Sequence, residues 1–149
     1  MIADTEVLFA LQENDRHHES LKAVLELSGH QIIIPHIACF EMLIILNSLN
    51  LLSSDIQQIF EAIDDIRNIY QITYAQFELT HLVKGIEIYK EIFNSRKGTF
   101  FDSLLIGIAV NLRKPLLGND KIFHSSKIKG KLEGFRALTF KDALNQLGE

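Results

Sequence analysis

Between Thr99 and Phe123 the chain reads TFFDSLLIGIAVNLRKPLLGNDKIF. An apolar segment, Leu104 to Leu112, is opened by Asp102 and followed by Pro115, Leu116 and Leu117, which run into Gly118, Asn119 and Asp120. This order predicts a helix, a turn, a buried strand and an acid at the strand end. In a parallel α/β sheet, strand ends and the starts of the following helices gather at one edge, where ligands bind. Asp102 and Asp120 are therefore expected to face a common crevice.

The remainder of the chain continues the alternation. Met1 to Ala3 is an apolar start to Asp4, and Thr5 to Leu11 makes a helical turn or two; Asp4 either caps that helix or repeats the strand-then-acid pattern of Asp120. Asp15 to Ser28 is predicted as an amphipathic helix with Leu21, Val24, Leu25 and Leu27 inward. His17 and His18, near its start, are expected at the surface with no carboxylate converging on them. The β-branched run Ile32 to Ile34, stopped by Pro35, has the composition of a strand buried on both faces. His36 to Leu49 is apolar all round and predicts a central, buried helix. An ionised Glu41 in its middle costs several kcal/mol unless paired, so Glu41 snorkels, meets a distant Arg, or turns towards a metal.

Ser53 and Ser54 are expected to cap a helix from Asp55 to Arg67. Tyr70 to Tyr74 alternates like a strand. Ala75 to Phe93 predicts a long helix whose stripe is Leu79, Leu82, Val83, Ile86, Tyr89 and Phe93, with Phe77, Ile88 and Ile92 on a second apolar face. Lys121 to Ser126 reads as a short helix, Phe135 to Leu138 as the last strand and Thr139 to Leu147 as a closing helix begun by Thr139 or Lys141. Alternation without repeat or linker implies an α/β fold: one domain, residues 1–149, with a parallel sheet covered by helices on both faces.

The 149-residue length suits one domain. The single cysteine, Cys39, cannot form an internal disulfide, and nothing reads as a signal peptide or membrane span. A cytoplasmic protein is expected. The net charge of −4 conceals an asymmetry: residues 1–83 carry 3 Lys/Arg and 12 Asp/Glu, while residues 84–149 carry 12 and 7. The basic excess, which includes Lys121, Lys127, Lys129 and Lys131, is either a solvated surface or a hold for a polyanion beside a cation site.

Four acids thus stand at the mouths of elements: Asp4, Glu41, Asp102 and Asp120. Like charges crowd together only by taking up protons or sharing a cation. A site of carboxylate oxygens favours Mg²⁺ or Mn²⁺ over zinc, and such ions activate water for phosphodiester hydrolysis. The rival reading of Asp102 is a capping box with Thr99, hydroxyl first and acid three residues on.

The chain resembles PIN-domain proteins of the type found as ribonuclease toxins of toxin–antitoxin pairs. The resemblance rests on Asp4-Thr5 with Val7-Leu8, Ile34-Pro35 leading to Glu41, Phe101-Asp102 followed by Leu104 and Ile106 to Ala109, and Leu117 to Asp120 with Lys121 and Phe123. It covers essentially the whole chain. It implies a five-stranded parallel sheet, a Mg²⁺ or Mn²⁺ site and RNA cleavage by metal-activated water. The four acids would be both catalytic and metal-binding, with Thr5 and Asn119 supporting them, and the charge asymmetry then offers Lys121, Lys127, Lys129 and Lys131 as contacts for RNA. An antitoxin protein and a homodimer, formed through the second apolar faces of the helices 55–67 and 75–93, are the implied protein partners. Two departures stand out: Glu6 replaces the usual small amide or hydroxyl residue, and Gly118 replaces the usual Thr or Ser. They leave open the alternative of a catalytically weakened PIN-like module that binds RNA or protein. A haloacid dehalogenase-type phosphatase, suggested by Asp4-x-Glu6, fits less well because it leaves Glu41 unexplained.

Overall fold

The computed structural model describes residues 1–28 and 31–148. Its elements in chain order are β1 (Ile2–Ala3), α1 (Thr5–Ala10), α2 (His18–Ser28), β2 (Ile33–Pro35), α3 (His36–Ser48), α4 (Ser53–Tyr70), β3 (Thr73–Ala75), α5 (Leu79–Glu91), α6 (Phe100–Leu112), β4 (Leu116–Leu117), α7 (Ser126–Lys129), β5 (Ala137–Leu138) and α8 (Phe140–Leu147). The five strands form one parallel sheet in the order β3-β2-β1-β4-β5. The chain moves away from β1 in one direction through β2 and β3, then crosses back to β4 and β5. Because such crossovers are right-handed, the reversal carries α5 and α6 to the face opposite α1 and α2.

The strands are two or three residues long, so side-chain packing holds the sheet more than its ladder does. Ile2, Ala3, Ile34, Leu116 and Leu117 are buried on it, and α6 lies across β1 and β4 with Ser103 to Ala109 all buried. The tightest helix pair is α5 with α6. A Cβ added to Gly107 would lie 2.5 Å from the Gly85 nitrogen, and one added to Gly85 would lie 2.7 Å from the Leu104 Cα. The two backbones therefore touch where only glycine fits.

Several expected boundaries shift. β2 takes in Pro35, which pairs with Ala75. Tyr70 ends α4, which Gln71 stops in the left-handed region at φ 53°, so β3 begins at Thr73. Ser53 and Ser54 lie inside α4; its start is instead held by the Leu52 N–H donating to the Asp55 carboxylate (3.2 Å). Residues 121–124 form turns, and the short helix α7 starts only at Ser126. By contrast, Thr139 caps α8 as its sequence suggests, accepting from the Asp142 N–H (3.0 Å) while the Asp142 carboxylate accepts from the Thr139 N–H (3.1 Å).

The larger correction concerns α3. It is not a central helix: Ala38, Met42 and Leu46 are buried, while Phe40 and Ile44 are 60% and 56% exposed and Leu43 is exposed beside them. A helix apolar all round has no polar face by which to tell core from open surface, so periodicity could not orient it. Along Leu79 to Phe93 the expected faces are partly exchanged, Phe93 of the expected inward stripe being buried as read. Ile88 and Ile92 are buried, and Leu79 and Val83 are exposed. Leu27 of α2, expected inward, is also exposed. Among the described residues no helix is long and apolar enough to cross a membrane.

Candidate active site

The strand order reverses between β1 and β4, and such a switch point opens a crevice at the strands' C-terminal ends. The ladder runs to its rim: the Asp4 N–H donates to the Leu117 carbonyl and the Gly118 N–H to the Leu138 carbonyl, each at 3.0 Å. Asp4 and Asp120 are thereby carried to one edge. Glu41, one turn into α3, and Asp102, in the first turn of α6, reach the same place. All four line a cleft of about 670 Å³, together with Thr5, Glu6, Arg16, His17, Asn119 and Lys121.

Local contacts fix these groups. Asp4 caps α1, its Oδ1 accepting from the Thr5 N–H (2.6 Å), so capping and cleft lining fall to the same residue. The Thr5 hydroxyl donates to Glu41 Oε2 (3.0 Å), tying α1 to α3. Asp120 Oδ1 accepts from the Ile122 N–H (3.0 Å), and Asn119 Oδ1 from the Phe140 N–H (3.0 Å), which anchors the loop after β4 to the start of α8. The capping box that the rival reading put at Thr99 is not formed. Its hydroxyl donates to the Arg96 carbonyl (2.7 Å), and Asp102 is left facing the cleft.

The two departures from the usual pattern acquire physical roles. A Cβ on Gly118 would stand 2.8 Å from Asp4 Cβ and 2.9 Å from Asp4 Oδ2. The buried Asp4 side chain lies in the space that a Thr or Ser would fill. Glu6 Oε2 accepts from the Asn119 N–H (2.7 Å), and its other oxygen meets His17 Nε2 at 3.3 Å. Glu6 is therefore a strap between α1, the β4 loop and the approach to α2. His17, expected at the surface without a carboxylate nearby, is half-buried against Glu6 with its ring edge-on to Phe140. His18 Nδ1 lies 3.1 Å from the Ala10 carbonyl.

Negative charge dominates the electrostatics of the cleft, although Arg16 and Lys121 also line it. Burial raises the Asp4 carboxyl well above its usual range, and the charges of Asp102, Glu41 and Glu6 add to this against the opposing Thr5 N–H bond. Glu41 is raised by burial and then by Asp120, with the Thr5 hydroxyl opposing. Burial, then Glu41 and Asp120, push Asp102 up to about 7, with the charge of Arg96 opposing. Among the described residues none of the four acids forms an ion pair. No three His, Cys, Asp or Glu residues among those described are close enough together to hold an ion as they stand. The carboxylates share a cleft without closing on one point. Asp4 is buried, Glu41 and Asp102 are half-buried and Asp120 is exposed, and carboxylate oxygens of this kind are the donors that hard divalent ions favour.

The PIN-domain family model matches residues 1–128. The chain belongs to the PIN-domain family. Members of this family are generally nucleases. Two solved structures share the fold of this PIN domain. One is VapBC2 from Rickettsia felis bound to a DNA fragment from their promoter (TM-score 0.66, 15% identity, covering 93% of this chain and 96% of that one). The other is a toxin–antitoxin complex from Klebsiella pneumoniae (TM-score 0.56, 15% identity, covering 90% and 93%). No curated protein matches the sequence.

The basic residues of this PIN domain are dispersed. Lys121 lines the acid cleft, Lys127 and Lys129 are exposed on α7, and Lys131 lines a separate groove against α5 with Lys84 and Glu87. Glu6, Arg16 and His17 join the cleft without having been singled out for it. The contact between Glu6 and Asn119 spans 113 positions of sequence, and no local spacing signals it.

Proposed function

We propose that this PIN domain, acting as one unit over residues 1–149, is a metal-dependent endoribonuclease and the toxin of a toxin–antitoxin pair. The observation that supports this reading is the convergence of four carboxylates, from four separate elements, on one cleft, none of them in an ion pair among the described residues. Asp4, Glu41, Asp102 and Asp120 would hold Mg²⁺ or Mn²⁺. A bound ion would activate water and neutralise charge on the phosphate during in-line displacement. The protein's own contribution is positional. Asp4 is seated over Gly118, Glu41 is held by the Thr5 hydroxyl, and Asp120 is fixed by its own turn and by the anchored Asn119. The substrate is RNA, with Lys121 at the cleft and Lys127 and Lys129 beyond it contacting phosphates. Lys131 belongs to the same set only if the strand continues towards α5.

An antitoxin protein and a second copy of the chain are the proposed partners, in the cytoplasm. The kinship in fold with chains of toxin–antitoxin complexes supports the antitoxin, and the exposed apolar faces of α3 and α5 supply area for protein contact.

Purified protein should cleave single-stranded RNA in Mn²⁺ or Mg²⁺ and be silent in EDTA. Asp120→Asn should abolish cleavage with an unchanged circular dichroism spectrum. Cutting by this variant at the parent rate would refute the assignment.

A further inference from the structure

At the opposite edge of the sheet, where the strands begin, lies a second cavity of about 600 Å³. Arg113, Lys114 and Arg136 line it, with Gln31 and Gln146, and among the described residues its lining contains no carboxylate. None of the three cations pairs with an acid among the described residues. In a chain of net charge −4, three such groups around one concavity concentrate positive potential that a mixed surface would cancel.

Their positions are fixed by the sheet. Leu116 is in register with Ala137, the Leu116 N–H donates to the Arg136 carbonyl (2.9 Å), and the Ile2 N–H donates to the Pro115 carbonyl (2.8 Å). Lys114 and Arg136 thus enter adjacent strands from backbone held by the ladder. Arg113 ends α6 in the left-handed region at φ 51°, a position where glycine is unstrained and a long side chain is not. The strain accompanies a side chain that lines the cavity. All three side chains are exposed along this one cavity, and two planar guanidinium groups and an ammonium lining one space match the oxygens of a phosphate better than those of any neutral ligand.

We propose that this cavity is an anion site that binds a phosphate group. It is separate from the acid cleft and does not depend on the nuclease reading. The phosphate could be a small free anion or part of an RNA backbone passing behind the sheet, and the two sources are separable.

The test uses the full chain in EDTA at low salt, with backbone-amide and arginine Nε resonances followed by NMR. Inorganic phosphate should shift Arg113, Arg136, Leu116 and Ala137 saturably, whereas chloride at equal ionic strength should not. Arg136→Ala should weaken the phosphate response at least tenfold. Arg113→Gly should weaken it similarly while raising the melting temperature, because glycine accepts the left-handed backbone; lost binding in a more stable protein cannot be ascribed to unfolding. A single-stranded oligoribonucleotide that shifts the same amides identifies nucleic-acid backbone as the source. Response to phosphate alone identifies a small anion. Shifts that do not saturate, that chloride reproduces, or that survive Arg113→Gly would overturn the site.

Discussion

Replacing Asp102 with Asn should make the metal-free protein more stable, although it removes an acid from the first turn of a helix. The Asp102 carboxyl is raised from 3.8 to about 7 in the folded state, through burial and then through Glu41 and Asp120. Between about pH 4 and 7 the native protein holds a proton that the unfolded chain has released, so this contribution is full below pH 4 and is lost as pH rises through 7. The gap corresponds to about 4 kcal/mol at roughly 1.4 kcal/mol per pH unit. Against it stands the favourable interaction of a carboxylate with a helix N-terminus, about 0.3 to 1 kcal/mol. At pH 8 in EDTA the variant should therefore gain about 3 kcal/mol, roughly 6 to 12 °C in melting temperature for a chain of this size. The two proteins should converge near pH 4. Mn²⁺ at a hundredfold excess over its dissociation constant should add about 2.7 kcal/mol to the parent and much less to the variant. Calorimetric melts at pH 4 and 8, with and without Mn²⁺, measure all four terms. A variant less stable in EDTA at pH 8, with an undiminished Mn²⁺ shift, would show that Asp102 only starts its helix.

Gly118→Ser should cost about 1 to 3 kcal/mol in urea unfolding and weaken Mn²⁺ binding, because its Cβ would displace the Asp4 side chain. Restoring the residue usual at this position thus damages this chain unless Asp4 finds another seat; unchanged stability would mean that it does. Glu6→Ala should release the Asn119 N–H and raise the Mn²⁺ dissociation constant with little loss of secondary structure. Glu6→Gln, which keeps an acceptor, should restore most of the affinity. Equal effects from both would place the importance of Glu6 in its charge.

The order of strands and helices was legible because β-branched or leucine runs alternate with helical spacing, and Asp4, Asp102 and Asp120 could be placed because each adjoins such a run. Glu41 was legible for another reason: an acid inside an apolar helix has to be explained. What could not be read were contacts distant in sequence. The Glu6 strap to Asn119 and the seating of Asp4 over Gly118 depend on β1 and β4 being neighbours, which no local pattern states. The exposed face of α3 was misjudged because apolar character marks a surface unsuited to water without saying what covers it. Thr99 followed by Asp102 has the spacing of a capping box, but the Arg96 carbonyl takes the Thr99 hydroxyl; a short motif loses to a better-placed acceptor.

The brevity of the strands has a consequence for how this protein opens. β1, β4 and β5 contribute two residues each, so the sheet protects few amides of its own. By contrast, seven consecutive residues of α6 are shielded from water, and its glycine contact with α5 leaves no gap for solvent. Deuterium should therefore enter the slowest along α6, with the sheet edges exchanging earlier by local fraying. The last part of the molecule to let go would be the helix whose first turn carries Asp102, so an acid that weakens the metal-free fold is mounted on its most persistent element.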